Sequence, residues 1–133
     1  MAEDMKAYDA KSVTLTVDGK VIIGFQDGDM ISYTNKEDMI TTEVDAQGFA
    51  SFAVNNSRLG QITINLSGNS ASHKYLNSLA NSHKQFPVVI LSDTEKISAT
   101  RAFIAKPADG AYGKQTPKRT YTIETLDMAI EVR

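Results

Sequence analysis

Between Met30 and Ser67, apolar and polar side chains alternate through four short segments: Met30 to Asn35, Met39 to Asp45, Phe49 to Asn55 and Gly60 to Ser67. Alternation at period two sends successive side chains to opposite faces of an extended chain. One face collects Ile31, Tyr33, Ile40, Val44, Phe52, Val54, Ile62, Ile64 and Leu66. The other collects Ser32, Thr34, Thr41, Glu43, Ser51, Ala53, Thr63 and Asn65. Half-buried antiparallel strands have this two-faced pattern, so the chain is committed to pairing strands. The second face is small, mostly uncharged, and carries neither Lys nor Arg.

The flanking sequence extends the reading. Val13-Thr-Leu-Thr-Val17 and Val21-Ile-Ile-Gly-Phe25 surround Asp18-Gly19, a pair that readily takes the positive φ of a tight hairpin turn. Val13, Leu15 and Val17 form its buried face. Within Ser70 to Lys84, Ala71, Tyr75, Leu76, Leu79, Ala80 and His83 recur at helical spacing, with Asn69 or Ser70 as the cap. Strands return at Phe86 to Ser92 and Lys96 to Lys106 around a Ser-Asp-Thr-Glu turn, and a loop rich in Gly and Pro covers Lys106 to Pro117. From Lys118 to Arg133 the apolar phase switches, from odd positions (Tyr121, Ile123) to even ones (Leu126, Met128, Ile130, Val132), which predicts a β-bulge near Thr125 and a strand that passes between sheets. The expected fold class is mainly β, antiparallel strands interrupted by one helix. With 133 residues, no internal repeat and no linker, it is expected as one domain over 1–133.

Composition removes several functions. A chain of this size needs no disulfide or metal to fold, and the absence of Cys excludes thiolate catalysis and zinc-thiolate sites. The longest apolar run, Phe86 to Leu91, is far short of the roughly 20 residues that span a bilayer, so no membrane anchor is expected. The acidic N-terminus, with no apolar stretch after it, does not read as a signal peptide. A net charge of −2 argues against sequence-independent affinity for nucleic acid.

Candidate chemistry is sparse. His73 and His83 fall on the helix roughly 80° apart around its axis, a poor arrangement for one metal ion. The carboxylates Asp27 and Asp29, Glu37 and Asp38, and Glu43 and Asp45 occupy strands and turns without a pocket to separate their pKa values. Asp109-Gly110 and Gly113-Lys114 lack the strand, glycine-loop and helix context of a phosphate cradle. No catalytic residue, cofactor or metal is expected, and the chain reads as a non-enzyme.

Charge is divided along the chain. Residues 1–57 hold ten acids and four bases, net −6, and residues 58–133 hold six acids and ten bases, net +4. Opposite potentials on two surfaces orient and register contact between copies.

Three stretches carry a resemblance: Lys6-Ala-Tyr-Asp-Ala-Lys-Ser-Val-Thr-Leu-Thr-Val-Asp-Gly19 continuing to Gly24-Phe25; Asn55-Asn-Ser-Arg-Leu-Gly-Gln-Ile-Thr-Ile-Asn-Leu66; and Ile104-Ala-Lys-Pro-Ala-Asp-Gly-Ala-Tyr-Gly-Lys-Gln-Thr-Pro-Lys-Arg-Thr-Tyr-Thr-Ile-Glu124. With the element order, they resemble a family of small structural proteins, the tail tube proteins of contractile-tailed bacteriophages, over nearly the whole chain. The sequence departs from that pattern at Ala10 and Ala108, where the family leads one to expect Pro.

The resemblance implies an antiparallel β-sandwich or barrel with one flanking helix, assembled as hexameric rings that stack into a tube inside a contractile sheath, an architecture shared with pyocin and type VI secretion tubes. The implied location is the virion tail, assembled in the host cytoplasm. Implied partners are further copies of the chain and the sheath, baseplate and tape-measure proteins, with DNA passing through without specific binding. The four strands from Met30 to Ser67 would form one sheet continuous with its neighbours as the lumen wall, presenting Ser32, Thr34, Thr41, Glu43, Asp45, Ser51, Thr63 and Asn65. Ring stacking would fall to Met1 to Lys11, the turn Asn35 to Asp38, the turn Ala46 to Gly48 and the Pro107 to Pro117 loop, through Tyr8, Lys11, Lys36, Glu37, Asp38, Gln47, Asp109, Tyr112 and Lys114. An isolated β-sandwich module that recognises a surface glycan or protein is the alternative, with Tyr8 and Tyr112 as its exposed aromatic candidates.

Overall fold

A computed structural model describes residues 7–132. Ten strands and one helix are described: β1 (Thr14–Val17), β2 (Lys20–Val21), β3 (Ile31–Asn35), β4 (Ile40–Val44), β5 (Ala50–Val54), β6 (Gly60–Ser67), α1 (Ala71–Ser82), β7 (Phe86–Leu91), β8 (Glu95–Ile104), β9 (Lys118–Thr125) and β10 (Ala129–Val132). All described strand pairs are antiparallel. No described helix is long and apolar enough to cross a membrane.

Eight strands make one sheet in the order β2-β1-β7-β8-β9-β6-β3, with β10 beside β8. The β1–β2 turn places Asp18 at φ 51° and Gly19 at φ 80°, as the Asp-Gly pair predicts. Beyond β2 the chain bends back along β6. Phe25 bridges Leu66, the Ser67 amide donates to Gly24 O at 2.9 Å, and the Gln26 amide donates to Asn65 O at 3.1 Å. The sheet thereby curls on itself. Leu15, Val17, Ile62, Ile64, Leu66, Val88, Tyr121 and Ile123 are fully buried inside it.

The helix closes over this core. Leu76, Leu79 and Ala80 supply its buried stripe, while Ser70 is the N-cap, accepting the Ser72 amide at 3.1 Å. Two serines also tie the helix start to the strand extension: Ser70 Oγ donates to Ile23 O, and Ser72 Oγ accepts the Ile23 amide at 3.0 Å. Gly24 sits between them at φ 80°, where a Cβ would lie 2.5 Å from Ser70 Oγ, so no other residue fits without displacing the cap.

Three expectations need correction. The hairpin strand expected over Val21 to Phe25 stops at Val21, because the chain there leaves β1 and Phe25 bridges Leu66 of β6. The four strands from Met30 to Ser67 do not form one sheet: β3 pairs with β6, whereas β4 and β5 form a separate two-stranded sheet. Ile40, Val44, Phe52 and Val54, which the alternation assigned to the core side, are exposed. The bulge expected near Thr125 is also built differently. The last strand is interrupted at Leu126 to Met128, but β9 and β10 keep one register against β8, and both belong to the same sheet. The extra residue sits in β8, where Thr100 and Arg101 together oppose Pro87 of β7. Their amides donate to the Asp127 carboxylate at 3.1 and 3.0 Å, replacing ladder bonds that the bulge removes.

Candidate assembly surface

The β4–β5 hairpin is built from residues as β-prone as those of the barrel. Its register pairs Ile40 with Val54, Thr42 with Phe52 and Val44 with Ala50, so these six side chains share one face. Thr41, Ala53, Glu43 and Ser51 share the other. Nothing among the described residues covers the apolar face: Phe52 is 70% exposed, Val44 68%, Val54 62% and Ile40 58%, with Phe49 exposed at the tip. Five residues per strand give a two-stranded ribbon roughly 17 Å long. Such a ribbon is marginal alone in water, and an exposed apolar patch of this kind marks a candidate site of contact.

The hairpin is tied at both ends. At its tip, Asp45 Oδ1 accepts the Gln47 and Phe49 amides, each at 2.9 Å, and Gly48 takes φ 89°. At its base, the Asn55 amide donates to Met39 O at 2.7 Å, Asn55 Nδ2 donates to Glu37 Oε2 at 2.7 Å, and the Lys36 amide donates to Leu59 O at 3.0 Å. Lys36 also forms an ion pair with Glu124 of β9. The excursion therefore leaves the barrel from a fastened root.

The residues expected to line a lumen separate into two groups. Ser32, Thr34, Thr63 and Asn65 share the outward face of β3 and β6, which continues across β9 through Thr120 and Thr122. Asn65 there accepts the Thr120 hydroxyl at 2.9 Å and donates to Asp29 O at 3.2 Å. Thr41, Glu43 and Ser51 occupy the polar face of the hairpin instead. Asp45 lies past the end of β4, and its carboxylate is turned into the hairpin tip.

Those expected between rings scatter over the surface. Tyr8, Lys11, Lys36, Glu37, Asp38, Gln47, Asp109, Tyr112 and Lys114 are all exposed. Lys36, Glu37 and Asp38 cluster at the root of the hairpin, and Gln47 lies at its tip. Tyr8 borders an apolar cleft of about 270 Å³ with Val13, Ile31, Ile90 and Ile97, where the Tyr33 hydroxyl donates to Glu95. That bond, then burial and the carboxylate charge, raise the Tyr33 pKa above its usual value. Asp109 faces Lys106 at 3.9 Å, and Met1 to Lys6 lie outside the described residues.

His73 is held by the Tyr121 hydroxyl at 2.7 Å from Nδ1, and His83 is the left-handed cap of α1. No group of three or more His, Asp or Glu poised for a metal occurs among the described residues.

Two features escaped the sequence reading. The polar breaks Lys36-Glu37-Asp38 and Asn55 to Arg58 on either side of β4 and β5 are the signal that this pair departs from the sheet. Arg119 is only 7% exposed. It shares the inward phase of Tyr121 and Ile123, and that parity was its signal.

No family model and no curated protein matches the chain. Solved structures do. A chain of the virion of a native gene transfer agent particle aligns with TM-score 0.67 and 13% identity, covering 96% of this chain and 99% of that one. A chain from the anti-feeding prophage cap, the AFP tube-terminating cap, aligns with TM-score 0.64 and 12% identity over 99% and 97%. Hcp1 from Flavobacterium johnsoniae aligns with TM-score 0.51 and 16% identity over 89% and 93%. The chain shares the fold of these three solved chains over 89–99% of its length.

Proposed function

We propose that this chain is a structural tail tube subunit that closes into hexameric rings and stacks them into a conduit for DNA. The observation that carries the reading is the uncovered apolar face of the β4–β5 hairpin. A surface patch that fits a different surface on the next copy makes a heterologous contact, and such contacts close into rings when the rotation permits. Seating Ile40, Val44, Phe52 and Val54 on a neighbour removes them from water and turns a marginal ribbon into part of a shared wall.

The chemistry of the proposed wall supports a conduit. Ser32, Thr34, Thr41, Glu43, Asp45, Ser51, Thr63 and Asn65 include no base, and affinity for DNA phosphates grows with each Lys or Arg presented. A polar, weakly acidic lining lets DNA slide. Tyr8, Lys11, Lys36, Glu37, Asp38, Gln47, Asp109, Tyr112 and Lys114 are the contacts assigned between rings. Sheath, baseplate and tape-measure proteins complete the particle, and the location is the virion tail after assembly in the host cytoplasm.

Size-exclusion chromatography with negative-stain microscopy tests this reading. Rings or tubes of the purified chain are expected at high concentration, and Phe52→Ser with Val54→Ser should give a folded monomer. A wild-type chain that stays monomeric at high concentration overturns the reading and favours a binding module built on Tyr8 and Tyr112.

A further inference from the structure

Arg119 lies at the end of β9 opposite the hairpin root, and it is nearly removed from water. Its Nη1 donates to Lys118 O at 2.8 Å, and its guanidinium carbon sits 5.2 Å from the centre of the Tyr112 ring. The loop approaches so closely that a Cβ on Gly110 would lie 2.9 Å from that carbon. Among the described residues no carboxylate lies within ion-pair distance of it. A guanidinium stays charged at any working pH, and a desolvated charge without a counter-charge is costly. The loop therefore holds a donor fork that a single copy leaves without its acid.

An unpaired acid lies at the other end of the same strands. Asn35 pairs with Gly60, Gly60 with Thr125, and Arg119 with Leu66, so the β3–β4 turn and Arg119 are separated by at least six residues of strand, roughly 20 Å. In that turn Lys36 is paired with Glu124 and Glu37 accepts from Asn55, which leaves Asp38 as the exposed carboxylate without a partner among the described residues. One copy cannot join the two ends. A second copy displaced along the strands brings them together head to tail, the arrangement that propagates a stack. The charge division of the chain, acidic before residue 58 and basic after it, has the same sense.

We propose that the Arg119 guanidinium, held under Tyr112, receives the Asp38 carboxylate of the next copy and sets the register of stacking. The inference rests on the stacked-ring reading above and adds its contact pair. Two parallel N–H···O bonds from guanidinium to carboxylate fix orientation as well as attraction.

Light scattering and negative-stain microscopy of Arg119→Met, Asp38→Asn and the double variant test it. Each single variant should still form rings but require roughly tenfold more protein to form tubes, and the double variant should be no worse than either. The thermal midpoint of the Arg119→Met monomer should be unchanged or higher, because replacing a buried charge by an apolar chain of similar volume is neutral or stabilising. Should that variant fail to fold, Asp38→Asn alone decides, since it alters one exposed turn. Tubes of Asp38→Asn at wild-type concentration, or additive losses in the double variant, overturn the pairing and leave the ring reading intact. A wild-type chain without rings overturns both.

Discussion

The barrel and the β4–β5 hairpin are written in the same alternating pattern and end in opposite environments. In β6 the inward residues Ile62, Ile64 and Leu66 are wholly buried; in β5 the equivalent residues Phe52 and Val54 stand mostly in water. Period two says that a strand has an apolar face. It does not say whose surface covers it. In the barrel the cover is the chain itself, through α1 and the curled sheet, whereas the hairpin carries its apolar face beyond any cover the described residues supply. On the proposed reading, the difference separates residues that fold this chain from those that join it to further copies.

Substitution in the two regions should break the likeness most sharply. Ile64→Ala removes a fully buried side chain and should destabilise the monomer by about 2–5 kcal/mol, read by chemical denaturation. Phe52→Ala takes a larger side chain from an exposed site and should shift monomer stability by less than about 0.5 kcal/mol. Ring formation should respond in the other order, lost with Phe52→Ala and kept with Ile64→Ala wherever the variant remains folded. A large loss of monomer stability in Phe52→Ala would mean that the hairpin belongs to the fold.

Two glycines repeat the contrast at smaller amplitude. Gly24 and Gly48 both have φ near 80–90°, but an added Cβ meets Ser70 at the first and open space at the second. Gly24→Ala should cost about 2 kcal/mol or more, combining backbone strain with displacement of the helix cap. Gly48→Ala carries only the left-handed penalty, about 1 kcal/mol, confined to the hairpin tip. Differential scanning calorimetry of both would show a lowered midpoint for Gly24→Ala and little change for Gly48→Ala.

Most strand spans, the β1–β2 turn and the Ser70 cap were legible because each is set by neighbours in sequence, whereas the Val21 to Phe25 strand stops at Val21 and the switched-phase residues Ile130 and Val132 stay exposed. What escaped depends on partners distant in sequence. Bulging β8 opposite Pro87 could not be read from the last strand alone, although the two switch phase together. Asp127 stood in a turn like many other acids until folding placed it against the amides of Thr100 and Arg101. Among the candidate contacts, the acidic turn at Glu37 and Asp38 was readable from exposure and charge. Arg119 was passed over because its loop hides it, even though its parity matched Tyr121.

Asp127 gives the barrel a dependence on pH. Burial pushes its pKa up, but the hydrogen bonds from the Thr100 hydroxyl and from the Arg101 and Thr100 amides outweigh it, and the carboxyl is held below its usual value. A depressed folded pKa means that the unfolded chain binds the proton first. The stabilisation is therefore complete above the unfolded value of about 3.9 and is lost as pH falls through the lower folded one. Asp127→Asn should cost about 1 kcal/mol at pH 7. The gap between wild type and variant, read from urea midpoints, should narrow below about pH 4. A constant gap from pH 7 to pH 3 would assign the effect to shape and not to charge.

The hairpin has a similar device at its tip, and there the effect should be smallest. Asp45 accepts the Gln47 and Phe49 amides much as Asp127 accepts those of the bulge, yet every group involved is exposed. Water replaces lost bonds at such a site, so Asp45→Ala should change monomer stability by no more than about 0.5 kcal/mol. Its consequence should be local: a frayed tip that exchanges the Gln47 and Phe49 amide hydrogens faster, while protection in β6 stays at its global level. If ring closure needs a preformed ribbon, the same variant should assemble more slowly at an unchanged melting temperature. Equal acceleration of amide exchange in β6 and β5 would instead join the two regions into one cooperative unit.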